Sequence, residues 1–302
     1  MAAEPWKDRL VSPAFIGFVK LMSKLPLRGV QRVGAGIGDL LMLGGEVRRI
    51  TEINLKQAYP HLSDDERAAM TRAVLRETGK VAAELGPLWL WPPERIMSLV
   101  RERHGEELVE AAQAEGRGVL VLGPHIGNWE LGGLYLGLRW PTTSMYEPPY
   151  FSGVDRFMRQ ARERAGARVV PTNVRGVKRL LDVLRAGEVV GLLPDQAPDA
   201  GHVFADFFGR PARTMTLAHK LVRKTGALAV MGVTLRRADG DGFDVHFLPG
   251  PDLDIDDPVE AARRLNAAVE RCVALAPAQY QWTYKRWRKP PENLEDIYRK
   301  NA

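Results

Sequence analysis

From residue 118 onwards, short apolar runs alternate with segments of helical pattern, and this order constrains the fold more than any other feature of the chain. Two of the runs, EVVGLL and LAVMGVTL, are apolar without alternation, as expected of strands buried on both faces. Helical segments such as DRFMRQARERAG and VRGVKRLLDVLRAG separate the runs. The order predicts an α/β fold with a central mixed, largely parallel sheet flanked by helices.

The first 115 residues have a helical pattern instead and predict an N-terminal helical cap. Ser63 and Glu66 have the spacing of a capping box, so a helix is expected to begin there. The stretch RIMSLVRERHGEELVEAAQAEGRG predicts a further helix that ends near Gly116. No long linker or repeat interrupts the chain. We therefore expect one domain over residues 1–302, with a helical, membrane-facing region at 1–115 and an α/β core at 116–302.

Composition narrows the classes of protein and partner. The chain has 302 residues and a single cysteine, Cys272, which excludes a disulfide framework and a cysteine zinc site and fits a reducing compartment. Its net charge is +6, so its surface suits nucleic acid, acidic lipid headgroups or an acidic carrier protein. Composition alone does not choose among these three partners.

The apolar segment at residues 12–45 is the candidate membrane contact. Lysines, arginines and Asp39 interrupt it, so it contains no run of about 18 uncharged apolar residues that could span a bilayer. It also lacks the cleavage pattern of a signal peptide. Two interpretations remain open: amphipathic helices that lie in a membrane interface, and ordinary helices that pack on the core.

The stretch GPHIGNWE at residues 123–130 is the candidate catalytic centre. It follows the apolar run GVLVL, and ligands of open α/β sheets bind at the carboxyl ends of strands. His125 would lie in the loop, and Glu130 about one turn into the next helix, close enough to reach back. An imidazole held by a carboxylate can take a proton from a hydroxyl group.

No serine or cysteine nucleophile accompanies this histidine and glutamate, so the nucleophile would be the substrate's own hydroxyl, and the chemistry direct acyl transfer. The alternative is a loop histidine beside a carboxylate that the helix dipole favours.

GPHIGNWE, the arginine-rich helix, LPDQ, FFGRPARTMT and QYQWTYKRW together resemble the late lipid A biosynthesis acyltransferases, the lauroyl/myristoyl type within the lysophospholipid acyltransferase superfamily. The resemblance runs from about residue 28 to about residue 290. It implies transfer of an acyl chain from acyl carrier protein (or acyl-CoA) to a hydroxyl of a lipid A precursor or similar glycolipid, at the cytoplasmic face of the inner membrane. Typical members carry a clear N-terminal transmembrane helix, and this chain departs from that pattern.

Matching the motifs residue by residue implies four roles. His125 corresponds to the general base and Glu130 to its acidic partner. Arg162 or Arg164 falls where the family has an arginine important for activity, and Asp195 matches a further acid. The stretch PDQAPDAGHVFADFFG departs from the family, so the acceptor lipid is not assigned. Other acceptors, a lysophospholipid or an amino-acid lipid, and a non-catalytic lipid-binding protein remain alternatives.

The chemistry of these residues also supports interpretations that do not depend on the resemblance. Arginine forks bind phosphates, so Arg162, Arg164 and Arg175 are candidates for substrate binding, although a solvated helix face explains such a run equally well. Asn128 is a further candidate at the start of its helix. Asp195 could pair with an arginine, hold a ligand hydroxyl, or simply follow Pro194 in a turn.

No metal site and no cofactor are expected, because His202, His219 and His246 have no metal-ligand spacing. The aromatic and basic C-terminal stretch from residue 280 suits a membrane interface, stacking on single-stranded nucleic acid, or packing onto the protein body. Without a nucleic-acid-binding motif, no nucleic-acid partner is expected.

Overall fold

The computed structural model describes residues 5–299, and its central feature is a seven-stranded sheet. The strands are β1 (Val100–His104), β2 (Val119–Leu122), β3 (Thr142–Tyr146), β4 (Arg168–Pro171), β5 (Val189–Leu192), β6 (His202–Phe207), β7 (Arg210–Met215), β8 (Leu228–Arg236) and β9 (Phe243–Pro249). The sheet order is β1-β9-β8-β2-β5-β3-β4, while β6 and β7 form a separate hairpin. Within the sheet only β8 and β9 are antiparallel neighbours. The predicted mixed, largely parallel sheet is confirmed.

Helices cover both faces of this sheet. They are α1 (Pro5–Met22), α2 (Leu27–Leu41), α3 (Glu46–Ala58), α4 (Asp64–Leu90), α5 (Pro93–Met97), α6 (Glu107–Ala114), α7 (Trp129–Arg139), α8 (Ser152–Arg164), α9 (Val174–Arg185), α10 (Leu217–Thr225) and α11 (Pro258–Leu275). Along β2, Leu120 and Leu122 join the apolar core that contains α9, α10 and α11. Val119 and Val121 join the core that contains α7. The two faces of one strand thus bury different helices, which explains why its sequence does not alternate.

The N-terminal helices pack as a cap, with α2 lying directly against α4. A Cβ atom at Gly34 or Gly38 would collide with the backbone of α4, so the glycines of GAGIGD allow the two helices to approach closely. The capping box predicted for α4 is present, since the Ser63 hydroxyl accepts from the backbone N–H of Glu66 and the Glu66 carboxylate accepts from that of Ser63.

One local expectation is wrong, and one hairpin was not predicted. The stretch from Arg95 to Gly116 does not form a single helix, because VRERH forms the edge strand β1, which pairs with β9. The sheet therefore begins before residue 116. An edge strand with four exposed residues needs no apolar pattern, so its pairing was invisible in the sequence. The hairpin of β6 and β7 was also missed; it turns at Phe208 and Gly209, which both have positive φ.

The aromatic C-terminal stretch packs onto the protein body. Trp282 and Trp287 are each 1% exposed, and Tyr298 is 5% exposed. All three belong to the core that also contains β2. The packing alternative is the correct one for these side chains. Residues 1–4 and 300–302 of the expected domain lie outside the described residues.

Candidate active site

His125 and Asp195 follow two neighbouring parallel strands at equal distance. Leu122 ends β2, Leu192 ends β5, and the two residues are paired in register. His125 and Asp195 each lie three residues further on, so both chains leave the sheet at the same edge and bring the side chains together. Nδ1 of His125 lies 2.7 Å from Oδ1 of Asp195. The backbone N–H of His125 donates to the other carboxylate oxygen over 2.9 Å.

This contact sets the protonation pattern of the imidazole. Because a carboxylate only accepts, the neutral ring carries its proton on Nδ1 and keeps the lone pair on Nε2. Burial raises the pKa of Asp195, but the charge of His125 and its two hydrogen bonds outweigh burial, so the pKa lies below its ordinary value. Nε2 of His125 lies 3.3 Å from the Gln196 amide nitrogen, which also donates to Gln281 over 3.0 Å. The pair thus has the arrangement of a general base and the group that orients it.

Glu130 is not the partner of His125, so the predicted contact between these two side chains is wrong. Among the described residues, the hydrogen bonds to the Glu130 carboxylate come from Trp89 over 3.1 Å and from Arg162, whose Nε lies 3.1 Å away and whose Nη2 also donates. Burial raises the pKa of Glu130, yet the charge and hydrogen bonds of Arg162 outweigh it and hold the pKa below its ordinary value. Helix α7 begins at Trp129 and aims Glu130 towards α4 and α8.

The three candidate arginines have different environments. Arg162 on α8 is paired with Glu130 and is partly buried. Arg164 donates to the backbone carbonyls of Leu90 and Trp91, so its guanidinium caps the C-terminal end of α4. Arg175 is exposed on the first turn of α9. The structure therefore brings only Arg162 to the buried side of the site.

Asn128 is also placed differently from expectation, because its side chain is fully buried. Its Oδ1 accepts from the backbone N–H of Leu131 as the N-cap of α7, and its Nδ2 donates to Glu84 over 2.7 Å. Glu84 in turn binds Arg236 through three guanidinium contacts between 2.7 and 2.9 Å. Asn128 thus anchors the loop of His125 to α4 and β8, and its predicted contact with substrate stays a prediction.

A C-terminal segment that the sequence did not connect to the site holds the other side of this loop. The backbone N–H of Gln281 donates to the carbonyl of His125 over 2.9 Å, and that of Gly127 donates to the carbonyl of Gln279 over 3.0 Å. Of the two glutamines beside His125, only Gln196 could be placed at the site from the sequence, because it follows Asp195 at a strand end. Nothing local marks Gln281, because only the fold brings the chain back to this loop.

An apolar cavity of about 60 Å³ lies between α7 and the sheet. Pro124, Ile126 and Trp129, which surround His125 in the sequence, form one part of its wall. Val121, Leu136 and Phe247 are among the apolar side chains further along, and the glycines of the wall are Gly123, Gly132, Gly133, Gly191 and Gly232. The candidate base therefore stands next to an apolar cavity. Within residues 5–299 no group of histidine, cysteine, aspartate or glutamate side chains is arranged to hold a metal ion.

Comparison with known proteins adds an independent result. Residues 9–289 match the family model described as bacterial lipid A biosynthesis acyltransferase. The chain is 32% identical to the lipid A biosynthesis lauroyltransferase of Escherichia coli, over 94% of this chain and 93% of the relative. It is 29% identical to the palmitoleoyltransferase of the same organism over 94% and 92% of the two chains, and 27% identical to the lipid A biosynthesis myristoyltransferase over 85% and 81%.

Proposed function

The chain belongs to the bacterial lipid A biosynthesis acyltransferases, and we propose that it transfers an acyl chain from a thioester of acyl carrier protein or coenzyme A to a hydroxyl group of a lipid A precursor or similar glycolipid. The observation that carries this proposal is the contact of His125 with Asp195 at the ends of adjacent strands. The identity of the donor and the roles of these residues are part of the proposal.

The proposed chemistry needs one base and no enzyme nucleophile. Nε2 of His125 takes the proton of the acceptor hydroxyl as its oxygen attacks the thioester carbonyl carbon. Asp195 stabilises the imidazolium that forms. The tetrahedral intermediate then breaks its carbon–sulfur bond, and the imidazolium gives the proton to the departing thiolate. The products are the ester and the free thiol. Gln196 hydrogen-bonds Nε2 before substrate binds and gives way to the acceptor hydroxyl.

Glu130 and Arg162 have an indirect role in this proposal. Glu130 holds the guanidinium of Arg162 in place beside the site, and Trp89 in turn donates to the Glu130 carboxylate. A partly exposed guanidinium suits a phosphate of the acceptor or of the donor's prosthetic arm. Arg175 on the exposed turn of α9 is a second, peripheral contact for an acidic carrier protein.

The apolar cavity takes the end of the acyl chain in this proposal. Its volume gives room for on the order of five water-sized groups, which suits the last carbons of a hydrocarbon tail. Its wall contains the neighbours of His125, so a tail seated there leaves the thioester near the base.

Membrane attachment at the cytoplasmic face of the inner membrane, peripheral or monotopic, is the final part of the proposal. No helix among residues 5–299 is both long and apolar enough to cross a bilayer. Helices α1 and α2 and the turn after them carry most of the exposed large apolar side chains, namely Trp6, Leu10, Val11, Leu21, Val33, Leu40 and Leu43. Exposed Lys20, Lys24 and Arg28 accompany them, as in interfacial helices.

Helix α1 also links this surface to the site. Its Phe15 packs edge-on against Trp89, which donates to Glu130. Asp8 of the same helix accepts hydrogen bonds from the first residues of α8, the helix of Arg162. A membrane bound by α1 would therefore lie close to the entrance that the acceptor lipid must use.

The test measures ester and free thiol together. Full-length protein is supplied with dodecanoyl thioesters of acyl carrier protein and of coenzyme A, and with a phosphorylated lipid A precursor. We expect His125→Ala to lower the rate by about a hundredfold or more. Exposed His61 provides the matched control, and His61→Ala should leave the rate unchanged. Equal rates for His125→Ala and the unsubstituted protein would overturn the mechanism, and no transfer by the unsubstituted protein would overturn the assigned substrates.

A further inference from the structure

Gly133 on α7 occupies a position where a side chain would meet no neighbour. A Cβ atom built there has no atom within 4 Å, and the residue lines the apolar cavity beside His125. Glycine weakens a helix interior relative to alanine, so a glycine that no close contact demands calls for an explanation. Because Gly133 has no side chain, the part of the cavity next to it stays open.

Three of the other four glycines in the cavity wall have packing explanations, and the fourth, Gly123, lies outside α7, where a Cβ would make an ordinary contact of 3.4 Å with the carbonyl oxygen of Gly232. A Cβ at Gly132 would lie 3.1 Å from the hydroxyl of Thr234, and one at Gly191 would lie 2.7 Å from that of Ser144. A Cβ at Gly232 would lie 2.7 Å from Val121. Further along α7, a Cβ at Gly137 would meet the backbone of Ala167 at 2.7 Å. Gly133 is the exception on this helix, because substitution there fills space without a clash.

The helical period places Gly133 deeper in the cavity than the residues next to His125. Trp129, Gly132, Gly133 and Leu136 all line it, which is the spacing of one helix face. Trp129 lies at the start of α7, beside the loop of His125, and its ring packs against the imidazole at a centroid distance of 5.1 Å. Gly133 lies four residues further along the helix, roughly 6 Å deeper at the helical rise per residue.

We infer that Gly133 determines the length of the acyl chain that the enzyme accepts, because it leaves open the part of the cavity that holds the last carbons of the tail. This inference rests on the proposed function and assigns to it a residue that sets specificity. A side chain at position 133 would occupy that part of the cavity and exclude the end of a long tail. A shorter tail would not reach it, so the chemistry at His125 would continue.

The expected change in kcat/KM can be calculated from the burial of methylene groups. Each methylene that is denied an apolar site changes kcat/KM by roughly fourfold. A leucine at position 133 displaces several such groups, so the ratio of kcat/KM for long over short donors should fall by roughly tenfold or more. Alanine adds one carbon and should produce a smaller change in the same direction.

The experiment compares the full-length protein with Gly133→Ala and Gly133→Leu. Each is assayed with decanoyl, dodecanoyl, tetradecanoyl and hexadecanoyl thioesters of acyl carrier protein and one acceptor. We expect the preferred length to shorten from glycine to alanine to leucine, while the rate with the shortest accepted donor is retained. That donor is the internal control for folding and catalysis, and alanine keeps the test valid should leucine prevent folding.

The outcomes separate this inference from the proposed function. An unchanged length profile in both variants, with transfer intact, would overturn the role of Gly133 and leave the function standing. A uniform loss with every donor in Gly133→Ala would also overturn it. Failure of the unsubstituted protein to transfer any acyl chain would instead overturn the function on which the inference rests.

Discussion

His125 and Asp195 are seventy residues apart in the chain, yet Nδ1 of one lies 2.7 Å from a carboxylate oxygen of the other. The contact exists because β2 and β5 are adjacent and parallel, with Leu122 opposite Leu192. The two loops leave paired strand ends side by side, and this brings the residues three positions beyond each end within contact distance. The geometry therefore couples the orientation of the imidazole to the register of the sheet.

The carboxylate in this contact is the first target for substitution. Asp195→Asn keeps the shape of the side chain but offers an amide N–H, which favours the tautomer with the proton on Nε2 of His125. That tautomer cannot accept the hydroxyl proton, so kcat/KM should fall by about a hundredfold or more in steady-state transfer assays. Asp65→Asn, an exposed substitution, is the control. Equal kcat/KM for the Asp195→Asn variant and the unsubstituted protein would contradict the proposed mechanism.

The pair of Arg162 and Glu130 should contribute to stability as well as to binding. Arg162→Ala leaves a buried carboxylate without its main partner, which typically costs about 3–5 kcal/mol in the free energy of unfolding. Arg162→Lys should restore only part, since lysine lacks the planar fork. Urea unfolding curves measure the free energy of unfolding of both variants.

Arg159→Ala on the same helix is the matched control, because Arg159 pairs with Glu163 at the exposed surface and its loss should cost less than about 1 kcal/mol. Similar losses for Arg159→Ala and Arg162→Ala would show that the Glu130 pair is no more important than a surface one. The apparent KM for the phosphorylated acceptor should also rise in the Arg162 variants.

Acid should remove the contribution of Glu130 to the stability of the folded protein. Its pKa is lower in the folded protein than in the unfolded chain, so the ionised form stabilises the fold above about pH 4 and that stability is lost as the pH falls through the folded pKa. The difference in unfolding free energy between the unsubstituted protein and Glu130→Gln should therefore be largest at neutral pH and shrink in acid. Unfolding curves at a series of pH values test this, and a difference that stays constant from neutral to acid pH contradicts it.

Membrane contact should depend on the exposed leucines at the C-terminal end of α2 and in the turn that follows it. Leu40 and Leu43 are 67% and 83% exposed, and Leu→Asp changes there remove apolar surface and repel anionic lipid. Co-sedimentation with anionic vesicles should fall for both variants, and salt should weaken binding of the unsubstituted protein. Leu275→Asp, at a leucine that is 49% exposed on α11, is the control. Vesicle binding that is equally strong in all variants, or absent in the unsubstituted protein at low salt, would reject this surface.

Sequence reasoning was most successful where the signal is local. The alternation of runs and helical segments determined the α/β class, and the apolar run before His125 placed that residue beyond a strand end. Ser63 and Glu66 identified the start of α4 for the same reason, because a capping box involves residues within one turn. The motifs also predicted the family, which the comparisons confirm.

The sequence by itself predicted which residues would carry the chemistry, and only the tertiary structure decided how their side chains are paired. Glu130 is five residues from His125, so local spacing favoured that pair. The partner is Asp195 instead, because strand order in a sheet is non-local and β5 lies beside β2. Glu130 turns towards Arg162 because a buried carboxylate needs a compensating charge and α8 supplies it. Side-chain contacts across a sheet edge depend on the packing of segments that are distant in the chain, and the spacing within a single motif does not predict that packing.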